Sequence, residues 1–213
     1  MNTESYIIYV VDTETTGFDP IENDIIELSM RRFSILEPEK QEAKTWLLKA
    51  MNPSSISDEA LAINNHKRED IVHQSEFGKA NYLLPSIVIP DVEKWMAEDD
   101  VSILDRIFAG QNPYFDIDFM QNLWKKEKTE STFPFSVENG NRTIDTKQIA
   151  IIIDLCSGIR RTQYNLTSLV KAFKVKKGKA HSAPEDVRMT TDLLITMLNG
   201  FKNSIGDKFK LGE

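Results

Sequence analysis

The first apolar run of the chain, Tyr6-Ile7-Ile8-Tyr9-Val10-Val11, is rich in β-branched residues and too short for a helix, so it predicts a buried strand. A turn at Gly17-Phe18-Asp19-Pro20 separates it from a second run, Asp24 to Met30. After a polar turn around Leu36 to Lys40, Lys44 to Lys49 reads as a third strand, so the chain opens as a meander. Beyond it the period changes. Ser57-Asp58-Glu59-Ala60-Leu61 reads as a short capped helix after Pro53, and an amphipathic helix is expected over about Gly78 to Met96. Val101 to Phe108 predicts a fourth strand, ended by Gly110. From Tyr114, residues Phe115, Phe119, Leu123 and Trp124 recur at helical spacing. Thr143-Ile144-Asp145 reads as a short fifth strand feeding a helix over 146–156. Leu166, Leu169, Val170 and Phe173 mark another helix, and Val187, Leu193, Leu194, Met197 and Leu198 the last. A strand meander followed by alternating strands and helices predicts an α/β fold with a mixed sheet.

The 213 residues suffice for one well-packed domain, and no window approaches eighteen uninterrupted apolar residues, so no membrane span is expected. The first residues lack a basic region and a small-residue cleavage site, and the apolar run ends in Asp12. They read as a strand and not a signal peptide. The single cysteine, Cys156, excludes an internal disulfide framework and a Cys-rich zinc site. Within Ile149 to Gly158 it reads as a core residue, and the cytoplasm is the expected compartment. A net charge of −7 argues against a protein that coats duplex DNA by bulk electrostatics. Local charge is different: lysines crowd Lys171 to Lys179, and Lys125, Lys126 and Lys128 form a second cluster. Each cluster taken alone reads as a solvated helix end.

Two acids at the end of a buried strand raise the central question. Asp12 and Glu14 are spaced i, i+2 and so share a face, where like charges repel and resist loss of water. Asp116 falls just past the fourth strand in the first turn of a helix, and Asp186 follows His181 by five residues. Each has an ordinary reading alone: a solvated strand end, a charge favoured at a helix N-terminus, a capping histidine, an exposed helix acid. Together the four acids form a set of hard oxygen donors without thiols, which suits Mg²⁺ or Mn²⁺.

At several separated places the sequence resembles the DEDD-type 3′→5′ exonucleases of the His subclass, whose best-known relative is the proofreading subunit of bacterial replicative DNA polymerase. Residues 12–17 (DTETTG) match the first motif, 25–30 (IIELSM) its following strand, and 52–64 (NPSSISDEALAIN) the intervening segment. Residues 112–119 (NPYFDIDF) match the second motif, 144–146 (IDT) and 165–173 (NLTSLVKAF) the lead-in to the third, and 181–186 (HSAPED) the third motif. The resemblance spans residues 5–200. It implies a ribonuclease H-like fold, a central mixed sheet flanked by helices, with an exonuclease domain over 1–200 and a short tail over 201–213.

By the same resemblance, Asp12 bridges two divalent ions, Glu14 and Asp186 complete the first site, Asp116 supports the second through water, and His181 is the general base. Phosphodiester hydrolysis by two ions about 4 Å apart fits such a donor set, and metal would supply the positive charge between Asp12 and Glu14. Thr15, Thr16 and Gly17 are implied to meet the terminal nucleotide, with Gly17 also serving the turn. Phe115 is either core or close to the terminal base, and Lys177 and Lys179 are candidate phosphate contacts. Asp118 and Glu185 read as solvated or supporting, and Asp145 as ordering a loop or capping a helix. Two departures stand out. Asn64-Asn65 replace the family's His-Gly, which makes Asn64 the residue at a nucleotide-gripping position; His66 two places later could substitute for the family His, but reads first as solvated. Gln111-Asn112-Pro113 replace His-Asn-Ala, and Pro113 suits the position before a helix.

The expected function is a two-metal 3′→5′ exonuclease using Mg²⁺ or Mn²⁺ and releasing 5′-mononucleotides from single-stranded or frayed DNA ends. The alternatives are an exoribonuclease acting on short RNA, distinguished by the 2′-hydroxyl, and a subunit whose main role is association with a DNA polymerase.

Overall fold

A computed structural model describes residues 6–72, 81–136, 142–178 and 182–205. Six strands form one mixed sheet: β1 (Ile7–Thr15), β2 (Ile25–Ser34), β3 (Glu37–Leu48), β4 (Tyr82–Leu83), β5 (Arg106–Gly110) and β6 (Thr143–Asp145). Their order across the sheet is β4-β3-β2-β1-β5-β6. β1–β2 and β2–β3 pair antiparallel, while β3–β4, β1–β5 and β5–β6 pair parallel. The helices are α1 (Asp58–Asn64), α2 (Arg68–Ile71), α3 (Pro85–Ala97), α4 (Tyr114–Lys126), α5 (Thr146–Ser157), α6 (Leu166–Ala172) and α7 (Ala183–Ile205). The α/β class and the mixed sheet flanked by helices are as expected. No described helix is long and apolar enough to cross a membrane.

The pleat of β1 sorts its side chains to two cores. Tyr9 and Val11 join Leu28, Met30, Trp46, Trp95, Met120 and Trp124 under α3 and α4. Ile8 and Val10 pack with Phe33, Ala109, Val187 and Leu194 under α7. Successive residues of a strand face opposite ways, so Asp12 and Glu14 continue the face covered by α7, and Thr13 continues the face covered by α4.

Several elements differ from their expected bounds. β3 begins at Glu37 because its polar first half pairs with β2, with Arg31 Nη1 donating to Gln41 at 2.9 Å and Arg32 bonded to Glu42. The fourth strand is shifted. Ser102 caps a 3₁₀ turn over Ile103–Asp105, and pairing with β1 starts only at Ile7–Arg106. The helix expected over 78–96 starts at Pro85, which fits a first helical position, after the two-residue strand β4. Residues 73–80 lie outside the described ones.

Cys156 is exposed, contrary to its reading as core. The inner face of α5 is Thr146, Ala150 and Asp154, so the apolar residues Ile152, Leu155 and Ile159 turn outward with the thiol. Asp154 is tolerated inside because Arg161 grips it with Nε and Nη2 at 2.8 and 3.0 Å.

Candidate active site

β1 delivers Asp12 and Glu14 to the α7 face, and the first turn of α7 delivers Asp186 to the same place. One carboxylate oxygen from each lies within 4.8 Å of the others. Asp116 arrives from the opposite face on the first turn of α4. It is fixed there by Thr13, whose backbone N–H and Oγ1 both donate to Asp116 Oδ1, at 2.9 and 2.8 Å. The alternation of β1 thus serves both sides of the site: Asp12 and Glu14 face α7 while Thr13 anchors the acid of α4.

The electrostatics favour a bound cation. Burial, followed by the charges of Asp116, Glu14, Asp186 and Glu27, holds the Asp12 carboxyl well above the usual carboxylate range. Burial and then Glu27 push Glu14 up to about 8. Burial raises Asp116 too, against the opposing effect of the two Thr13 bonds. Acids that retain protons near neutral pH exchange them for a divalent ion that neutralises the cluster. The all-oxygen donor set and the close approach of three carboxylates fit a hard cation such as Mg²⁺ or Mn²⁺.

The turn after β1 is tightly built. Thr15 Oγ1 donates to the Gly17 carbonyl at 2.6 Å, and Thr16 Oγ1 accepts from Asp24 N–H at 2.9 Å. Both threonines are buried and their side chains serve the turn itself. Gly17 is required by space, not by an unusual backbone angle: a Cβ there would lie 2.4 Å from Asn23 Oδ1. Asn64 is buried beneath this turn and donates from Nδ2 to the Thr15 carbonyl at 3.1 Å, so it supports the strand end that carries Glu14. Phe115 is half-buried and packs on Phe119 with ring centroids 4.7 Å apart. Asp145 accepts from Asn112 and Lys147 N–H, at 3.0 and 2.9 Å, and so does both jobs expected of it. Lys177 is exposed on the segment after α6. His181 and Lys179 lie outside the described residues.

Glu27 was not singled out from the sequence, and His66 was read differently. Glu27 sits directly across the β1–β2 ladder from Glu14. His66 is not solvated as expected: its side chain is 10% exposed, Nδ1 shares a 2.7 Å hydrogen bond with the Tyr82 hydroxyl, and Nε2 stands 3.7 Å from Glu27 Oε2. The available signal was the acid of residues 25–30, placed inside an apolar strand like Asp12 itself.

Residues 9–194 match the RNase_T family, described as exonucleases. The chain belongs to this exonuclease family. Among curated proteins, none matches it by sequence. Several solved structures share this chain's fold at low identity. E. coli exonuclease I in complex with a dT13 oligonucleotide is 16% identical with a TM-score of 0.73, over 95% of this chain and 43% of that one. Cell-death related nuclease 4 is 12% identical with a TM-score of 0.72, over 92% of this chain and 64% of that one. The nuclease domain of 3′hExo, a DEDDh family member bound to rAMP, is 15% identical with a TM-score of 0.70, over 100% and 99%. This chain thus spans less than two thirds of the first two and essentially all of the third.

Proposed function

We propose that this chain is a metal-dependent 3′→5′ exonuclease that releases 5′-mononucleotides from single-stranded or frayed DNA ends. The observation that carries the reading is the convergence of Asp12, Glu14 and Asp186 within 4.8 Å, with Asp116 held beside them by Thr13. Asp12, Glu14 and Asp186 would hold one divalent ion, and Asp12 with Asp116 a second. When bound, such ions polarise the phosphate and lower the pKa of water. The chain's own residues do the rest. His181, three residues before Pro184 in the approach to α7, is assigned as the base that takes the proton of the attacking water. Thr15 to Gly17, stiffened by Asn64 and Asn23, form the wall against which the terminal nucleotide rests.

The RNA reading also has support, since the 3′hExo domain that this chain matches end to end is bound to rAMP. The test uses 5′-labelled single-stranded DNA and the matching RNA, each with Mn²⁺ or with chelator. A metal-dependent ladder shortening from the 3′ end is expected, faster on DNA. Faster shortening of RNA would reassign the substrate, and an intact label on both polymers would overturn the reading.

The lysines after α6 give a separate expectation. Lys174, Lys176 and Lys177 are exposed, and if the phosphate backbone crosses them, reversing all three to Glu raises KM and flattens its dependence on salt while kcat changes little. An unchanged KM at low salt would return them to ordinary solvated surface.

A further inference from the structure

Glu27 is an unfavourable choice on its face. It lies opposite Glu14 in the ladder, where like charges destabilise a strand pair, and it adds a further acid beside three that already repel. Its side chain is 13% exposed, so water does little to screen it. Its contacts explain why an acceptor is needed there. Ala183 is the first residue of α7 and is fully buried. Its N–H is one of the donors that a helix leaves without an internal partner, and an unsatisfied buried N–H is costly. Pro184 follows and has no N–H. The carbonyl of Ser182 takes the N–H groups of Glu185 and Asp186, both at 2.9 Å. The Ala183 N–H donates instead across to Glu27 Oε2 at 3.2 Å. The same oxygen is faced by His66 Nε2, whose ring is steered by Tyr82 on its other nitrogen.

We infer that Glu27 is a positioning residue that pins the N-terminus of α7 to β2, with His66 facing the same oxygen, and so sets where Asp186 meets Asp12 and Glu14. The inference rests on the metal-site reading above. Asp186 lies three residues, less than one helical turn, beyond the pinned amide, so a shift at Ala183 is carried directly to the carboxylate. For holding the Ala183 N–H, what Glu27 supplies is an oxygen at the right reach, charged or not. Partners that orient metal ligands in this way typically change metal affinity by about 10–100-fold when lost.

Two variants separate reach from charge. Glu27→Gln keeps an acceptor at the same length and removes the charge. Glu27→Asp keeps the charge and withdraws the acceptor by one methylene. Mn²⁺ alone is titrated into each full-length protein, with free Mn²⁺ read by electron paramagnetic resonance, and thermal melting confirms the fold. The expected result is Mn²⁺ affinity within about 3-fold of wild type for Glu27→Gln and at least about 10-fold weaker for Glu27→Asp. The opposite order would make Glu27 a charge or a direct ligand and overturn the inference, as would two variants that both bind like wild type. If the wild-type chain itself takes up no Mn²⁺, the metal site and this inference fall together, whereas wild-type uptake with the wrong order of variants removes the inference alone.

Discussion

Asp12→Asn is expected to abolish the proposed metal-dependent nuclease activity and, without metal, to raise the melting temperature. The two effects share one cause. Asp12 lies where four other acids act on it, and its carboxyl is held far above its ordinary range chiefly by burial. A neutral amide of the same shape removes the repulsion and the loss of hydration, so the fold gains. The proposed chemistry loses the bridging charge, and a fall in kcat of at least about 10³-fold, some 4 kcal/mol in the barrier, is expected. Asp186→Asn behaves alike in activity, since it too removes ligand charge while α7 keeps its packing. Turnover on labelled DNA and a thermal melt with chelator check both halves. Wild-type rates in either variant would remove the carboxylate cluster from the chemistry.

Without metal, the protein is expected to lose stability as pH rises from about 4.5 to about 8, and Mn²⁺ to counter the loss. Glu14 has an ordinary pKa of 4.5 and is pushed up to about 8 in the fold, by burial first and by Glu27 next. Between those values the folded chain holds a proton that the unfolded chain has released, so unfolding is favoured progressively as pH increases. Asp12 and Asp116 are shifted the same way and add to the slope. A bound divalent ion replaces the protons and stabilises only the folded state. In a chain of this size each ~1 kcal/mol moves the melting midpoint by about 2–4 °C. Melting curves at pH 5 and pH 8, with chelator and with saturating Mn²⁺, therefore show a metal-induced rise that is larger at pH 8. Equal rises at both pH values would mean that the carboxylates titrate as free groups.

The fold was readable where burial imposed a period. β1, β2, α4 and α7 follow from apolar spacing, and Ser57, Asp145 and Pro113 marked helix starts through their capping or backbone chemistry. The misplaced elements are those that periodicity does not govern. Val101 to Asp105 is apolar enough for a strand, but the ladder partner on β1 begins only at Ile7, so the chain turns as a 3₁₀ helix first. Glu37 to Lys44 is too polar to suggest a strand, yet β2 supplies a partner with matching polar side chains. Around the site, the acids on β1 declared themselves by interrupting an apolar run. Glu27 interrupts an apolar run in the same way, but its role and that of His66 lie in contacts distant in sequence, Glu27 with Ala183 and with His66, that no local pattern encodes.

The outward face of α5 has a consequence for handling the protein. Cys156 is the single cysteine of this chain and stands exposed beside Leu155 and Ile159. One accessible thiol per chain means that oxidation can join two molecules and then has nothing left to join. A reductant-sensitive species of twice the mass is then a product of storage and carries no information about assembly. The same arithmetic makes α5 a place where a thiol-reactive dye attaches at one known position, with no cysteine to remove beforehand.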